Sequence, residues 1–223
     1  MTEWLKTDWF KQYGTAIIAL LGVLVGSLVT GGLTFLNAWI MRNRDLKLKL
    51  WERFIDHRIA AHEGVVTIAL KMRTMVPLGR VENGEIVRSP QIMLSKEEFD
   101  EWLREFAEIA NPASTWLSTP VKRELNFVQD YLVTVHTNLS PFTSECFAKV
   151  GSFIRQDFID LSSKLEKLAF EYFKREALDL RLNDLTEHHK YSLKETQARL
   201  SKTVLLARWM ELDTILQSGP PPT

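Results

Sequence analysis

The uncharged apolar run from Gln12 to Met41, closed abruptly by Arg42-Asn43-Arg44, constrains this chain more than any other feature. A membrane-crossing helix needs about 20 consecutive apolar residues, and a run of this length without Asp, Glu, Lys or Arg reads as such a helix. From Tyr13 to Trp39 the rise is about 39 Å, enough for a hydrocarbon core of about 30 Å and part of each interface. Trp4, Trp9 and Tyr13 stand before the span and Trp39 at its end, where amphipathic rings favour the headgroup zone, so they are expected to anchor it. A cleaved signal peptide would have an apolar region of about 7 to 15 residues and a small-residue cleavage site, which this sequence does not match. A buried core helix seldom stays uncharged for so many turns.

Basic residues flank the span unevenly. Lys6 and Lys11 precede it, whereas Arg42, Arg44, Lys47, Lys49 and Arg53 follow it. Because Lys and Arg are retained on the cytoplasmic side, the part after the span is expected to be cytoplasmic, in a single-pass arrangement typical of a bacterial inner membrane. Arg42 and Arg44 mark that interface. The expected division is a tail over 1–14, a transmembrane helix over 15–41, a cytoplasmic helical domain over 42–217 and a disordered tail over 218–223.

Within the span small residues recur at every fourth position, at Gly22, Gly26, Thr30, Thr34 and Ala38, and Gly22 to Gly26 forms a G-x-x-x-G unit. Such a ridge lets two helix backbones approach closely and gain dispersion contacts that lipid tails do not supply, so a homo-oligomer through this helix is expected. Glycine is also common in membrane helices generally, which is the competing explanation. With no ionisable residue in the span, this one helix offers no proton relay or ion path.

Lys plus Arg and Asp plus Glu number 28 each, a formal net charge of zero, which points away from a nucleic-acid-binding surface. The charge is uneven: 42–73 is rich in Lys and Arg, and 82–108 in acidic residues. A basic helix next to a membrane can lie near anionic headgroups or pair with the acidic segment. Cys146 is the single cysteine, so no disulfide can form within the chain, in keeping with a reducing compartment.

The remaining patterns are helical, and the fold class expected is all-α, as a bundle or long hairpin. Leu50, Trp51, Phe54, Ile55, Ile59, Val65, Val66, Ala69 and Met72 form a stripe on a helix that continues from the span and ends before Pro77. Asn83-Gly84 between short alternating flanks signals one small β-hairpin near 80–88. Ser95 and Glu98 form a capping box for a helix carrying Phe99, Trp102, Leu103 and Phe106, which should stop before Asn111-Pro112. Thr119-Pro120 opens another, with Thr119 as cap, carrying Leu125, Val128, Leu132 and Val135. Between Gly151 and Gly219 neither Gly nor Pro occurs. A heptad-like stripe of Leu161, Leu165, Leu168 and Tyr172 there meets Arg175 and Asp179. It resumes at Leu178, Leu182 and Leu185 and later at Leu200, Val204, Leu212 and Leu216, implying two helices broken near Asn183-Asp184 or one long curved helix. Phe147, Phe153, Phe158, Phe170 and Phe173 are expected in the core.

The chemistry-bearing residues form no catalytic pattern. His57, His62 and Glu63, and Glu187-His188-His189, match neither H-E-x-x-H nor Glu-x-x-His, and a five-residue spacing does not stack two ligands on one helix face. Surface or partly buried histidines are the expectation, with no metal and no cofactor. Cys146 in Ser-Glu-Cys-Phe is expected to be inert packing. No glycine stands in a phosphate-cradling arrangement. The sequence therefore points to a non-enzyme. One function class is an interaction or scaffold module at the inner membrane that binds a protein partner. The alternative is a self-associating effector whose spans perturb or gate the bilayer, switched by a ligand of the cytoplasmic domain.

Overall fold

Helix α1 runs from Trp4 to Arg73 without a break, so no turn separates the apolar run from the basic segment that follows. The computed structural model describes residues 4–82, 84–175 and 189–217, with side chains from residue 13 onward except 215. The described residues form eight α-helices, one 3-10 turn and one two-stranded antiparallel sheet, and the fold is all-α with a small hairpin, as the patterning indicates. The chain divides into two compact units, Met1–Phe54 and Ile55–Thr223.

In the first unit every residue from 15 to 42 is exposed. The most apolar 18-residue window of α1 has a mean hydropathy of 2.3 with none of it buried, and among the described residues this is the one helix long and apolar enough to cross a membrane. A core helix of a soluble domain would be covered by its own chain. Here Ile18, Val23, Leu28 and Phe35 each leave more than two thirds of their surface open, at 72%, 71%, 74% and 71%. Such a continuous apolar surface has no place in water.

In the second unit the end of α1 buries Arg58, Ala61, His62, Val65, Ile68, Ala69 and Met72, a stripe with three- and four-residue spacing. This differs from the apolar-only stripe: Leu50 is exposed, and the buried face takes in Arg58 and His62, the His62 ring reaching the Arg58 carbonyl. After it come β1 (Met75–Glu82) and β2 (Glu85–Pro90), antiparallel, with Met75 opposite Pro90 and Glu82 opposite Glu85. The hairpin is longer than 80–88, because Pro77 joins it: a two-stranded sheet has only edges, where the missing N–H costs nothing. The register shifts between Pro77 and Val81, and Gly79 takes a positive φ of 68° there, with Gly84 at 82° in the turn.

A 3-10 turn (Gln91–Met93) leads to α2 (Lys96–Ala113), capped by Ser95 Oγ accepting from the Glu98 amide at 3.1 Å. Contrary to expectation α2 does not stop at Asn111-Pro112. Buried Ala110 and Ala113 hold its last turn in place, and the Ser114 amide closes on the Ala110 carbonyl. Helix α3 (Thr119–Leu139) has Pro120 in its first turn as expected, but its cap is Ser118 rather than Thr119. Helices α4 (Ser144–Phe153), α5 (Arg155–Arg175), α6 (Leu193–Leu200), α7 (Val204–Ala207) and α8 (Trp209–Gln217) follow. The run read as one helix or two is thus several: it breaks at Ile154, at Ser201–Thr203 and at Arg208. The break placed near Asn183-Asp184 lies outside the described residues, as do Leu178, Leu182, Leu185 and the 218–223 tail.

The core joins Val65, Ile68 and Met72 of α1 to Phe99 and Phe106 of α2, Val128 and Leu132 of α3, Phe147 of α4 and Phe158 and Leu165 of α5. The predicted apolar stripes of α2 and α3 are its main walls. Phe170 is a correction: it is 54% exposed, on the outer face of α5. Gly151 sets the closest approach, since a Cβ there would lie 2.3 Å from Ser89 Oγ and 2.6 Å from Met93 Cβ. The hydroxyl could rotate away. The Met93 Cβ moves only with its backbone, so this position of α4 accepts no side chain.

Candidate functional site

The ridge residues Gly22, Gly26, Thr30, Thr34 and Ala38 lie along one slowly drifting line of α1, and all are exposed. A Cβ added at Gly22 or Gly26 would meet nothing within 4 Å. Thr30 Oγ1 donates to the Gly26 carbonyl and Thr34 Oγ1 to the Thr30 carbonyl, each at 2.8 Å, and Ser27 Oγ donates to Val23 at 2.5 Å. These hydroxyls are satisfied within their own helix, so they can enter hydrocarbon without a partner chain. Close packing along the ridge would then rest on shape rather than on interhelical hydrogen bonds. Tyr13 and Trp39 are about half-exposed, and Arg42 and Arg44 are exposed. The side chains of Trp4 and Trp9 lie outside the described residues.

The second unit holds two buried carboxylates that sequence patterning does not single out. Glu124 of α3 is fully buried. Arg199 of α6 grips it with both guanidinium nitrogens at 3.1 and 2.5 Å, Lys164 Nζ of α5 lies 2.9 Å away and the Tyr191 hydroxyl donates at 2.9 Å. Arg199 also lies over the rings of Phe127 (3.7 Å) and Tyr191 (4.5 Å). Burial pushes the Glu124 carboxyl up, but the hydrogen bonds and charges of Arg199 and Lys164 outweigh it and hold it below the usual range. With four donors on two oxygens it has no free face for a substrate; its work is to fasten α6 to α3 and α5.

Asp157 of α5 does the same for α7. Its oxygens accept from the amides of Val204 (2.7 Å) and Leu205 (3.0 Å) and from the Tyr131 hydroxyl (2.9 Å). The first-turn amides of α7 are thus capped by a carboxylate from another helix. Burial raises the Asp157 pKa, and the amides and the hydroxyl offset this only in part. Tyr131, also buried, is pushed well up by burial and by the adjacent carboxylate.

His62 is fully buried, against the expectation of a surface or partly buried histidine. Its Nδ1 lies 2.7 Å from the Arg58 carbonyl, which can only accept, so Nδ1 carries the proton. Nε2 therefore accepts the Ser118 amide at 3.3 Å. The ring stacks on Tyr172 with centroids 3.5 Å apart. Burial lowers its pKa to about 4; the Arg58 carbonyl works against that and the Arg58 charge with it. This contact also explains the cap of α3: the Ser118 backbone and hydroxyl face His62 Nε2, and Thr119 Oγ1 is left buried without a hydrogen bond.

The other candidates do not assemble. His57 is exposed and stacks on Trp116 at 4.9 Å, away from His62, while Glu187 and His188 lie outside the described residues. Cys146 is buried, with Thr143 Oγ1 3.6 Å from its sulfur. Among the described residues no three His, Cys, Asp or Glu side chains are grouped to hold a metal ion. Comparisons with protein-family models, with curated proteins and with solved structures found no match to this chain.

Proposed function

We propose that this chain is a membrane-anchored, non-enzymatic interaction module, in which α1 crosses a bacterial inner membrane and the helical unit engages a protein partner on the cytoplasmic side. The carrying observation is the complete exposure of the most apolar window of α1, which makes lipid the solvent that fits it. The basic residues from Arg42 to Arg53 support the orientation. A periplasmic reporter fused after Gly219 is expected to be inactive and a cytoplasmic one active; the reverse pattern overturns the orientation. Crosslinking in native membranes followed by mass spectrometry tests the partner. Recovery of the chain with lipid and itself alone speaks against the scaffold reading.

A second reading, a self-associating effector that perturbs the bilayer, draws on the ridge. The open space at Gly22 and Gly26 suits the test, because a Cβ added at Gly26 meets nothing within 4 Å. The isoleucine would separate two helices where their backbones should touch, so self-association in a membrane reporter assay should drop to background. Leu24→Ile, off the ridge, should keep it. Equal association of Gly26→Ile and the parent rejects the interface and, with it, the effector.

A further inference from the structure

The hairpin and helices α4, α5 and α7 border an open groove of about 830 Å³. Leu78, Val87, Phe153 and Val204 are among its apolar lining residues, and Arg80, Lys149 and Arg155 line it with positive charge. In this unit Lys71 pairs with Glu105 and Arg73 with Glu166, and Arg208, which also lines the groove, pairs with Glu211 and lies over the Phe153 ring at 4.5 Å. Among the described residues the side chains of Arg80, Lys149 and Arg155 have no ion-pair or hydrogen-bond partner. Three like charges around one groove with apolar lining residues repel one another, and a multivalent anion relieves that repulsion more than single counterions do. Glu82 and Glu85, cross-strand partners beside the turn, also line the groove. They would repel a wholly anionic ligand and favour one whose other end donates hydrogen bonds. The volume lies within the range that encloses a small organic molecule.

We propose that this groove binds an organic polyphosphate of nucleotide size, its phosphates on Arg80, Lys149 and Arg155 and its body on Leu78, Val87 and Phe153. The site does not depend on whether the spans self-associate or on the partner. Titration calorimetry of the full chain in neutral-lipid nanodiscs, with ATP and with pyrophosphate as probes, tests it. ATP is expected to bind and pyrophosphate to bind more weakly, because only ATP reaches the apolar lining residues. Lys149→Gln with Arg155→Gln should weaken ATP by about tenfold or more, two charge-assisted contacts being lost. Lys149→Arg, which keeps the charge, should bind like the parent, and so should Lys167→Gln, which removes an exposed charge on α5 outside the groove. Absence of ATP binding, or equal weakening by Lys167→Gln, overturns the proposal. Loss of ATP binding in nanodiscs of anionic phospholipid would assign the groove to lipid headgroups and overturn it as well.

Discussion

Arg199→Ala is expected to lower the stability of the helical unit by about 3 to 5 kcal/mol, the cost of leaving a buried carboxylate short of its main partner. Glu124 is fully buried, and Arg199 supplies two of its hydrogen bonds and one of the two positive charges beside it, the other being that of Lys164. Lys164, 47% exposed, cannot replace a bidentate guanidinium from its position at the edge. The opposite truncation is predicted to be milder. In Glu124→Gln the side chains of Arg199 and Lys164, which keep 22% and 47% of their surface open, turn to water, so no charge is stranded. Urea denaturation of the detergent-solubilised chain, followed by near-ultraviolet circular dichroism, measures both. If Glu124→Gln costs as much as Arg199→Ala, the stranded-charge argument fails.

The same cluster shows where sequence reading runs out. The long apolar helix, the stripes of α2 and α3, the Ser95 cap and the Gly84 turn were legible because each is encoded within a few residues, by polarity, periodicity or a capping pattern. Glu124 and Asp157 were not. A single charged residue in a helical pattern reads as solvent-facing, and what buries these two are partners supplied by later helices, Arg199 for one and the Val204 and Leu205 amides for the other. The breaks after Leu200 fall in the same class, since the start of α7 is capped by Asp157 and needs neither Gly nor Pro. The shift of cap from Thr119 to Ser118 likewise depends on His62, from a different helix. Phe170 errs the other way: helical spacing places it near the core stripe, yet that face of α5 is not covered. For the ridge from Gly22 to Ala38 the stripe was legible, but what it touches belongs to no part of one chain.

These fasteners bear on the groove as well. Val204 and Arg208 form one of its walls, and Asp157 holds Val204 through its amide. Asp157 thereby holds Val204 without itself lining the groove. Glu124, Asp157 and His62 thus fix helices in place, while among the cations lining the groove Arg80, Lys149 and Arg155 have no ion-pair or hydrogen-bond partner among the described residues.

Acid should loosen the helical unit from about pH 6.5 downward, and His62 is the cause. Its folded pKa is lowered to about 4 from 6.5, so below about pH 6.5 the unfolded chain takes up a proton that the folded one does not. Stability from this group is complete above about pH 6.5 and is lost as the pH falls toward about 4, by about 3 kcal/mol in all. Structurally, a protonated Nε2 can no longer accept the Ser118 amide, and the imidazolium would sit beside Arg58. Glu124, with its pKa lowered, adds a further loss as the pH falls below the ordinary glutamate range, where the unfolded chain takes up a proton that the folded one does not. Asp157, with its pKa raised, works in the opposite direction, since protonation relieves the folded state. His62→Gln isolates the histidine, because the variant keeps both carboxylates. Between pH 7.5 and 4.5 the parent should lose about 2 to 3 kcal/mol more than the variant in urea denaturation. Parallel losses in the two proteins would show that His62 is not the acid-sensitive group.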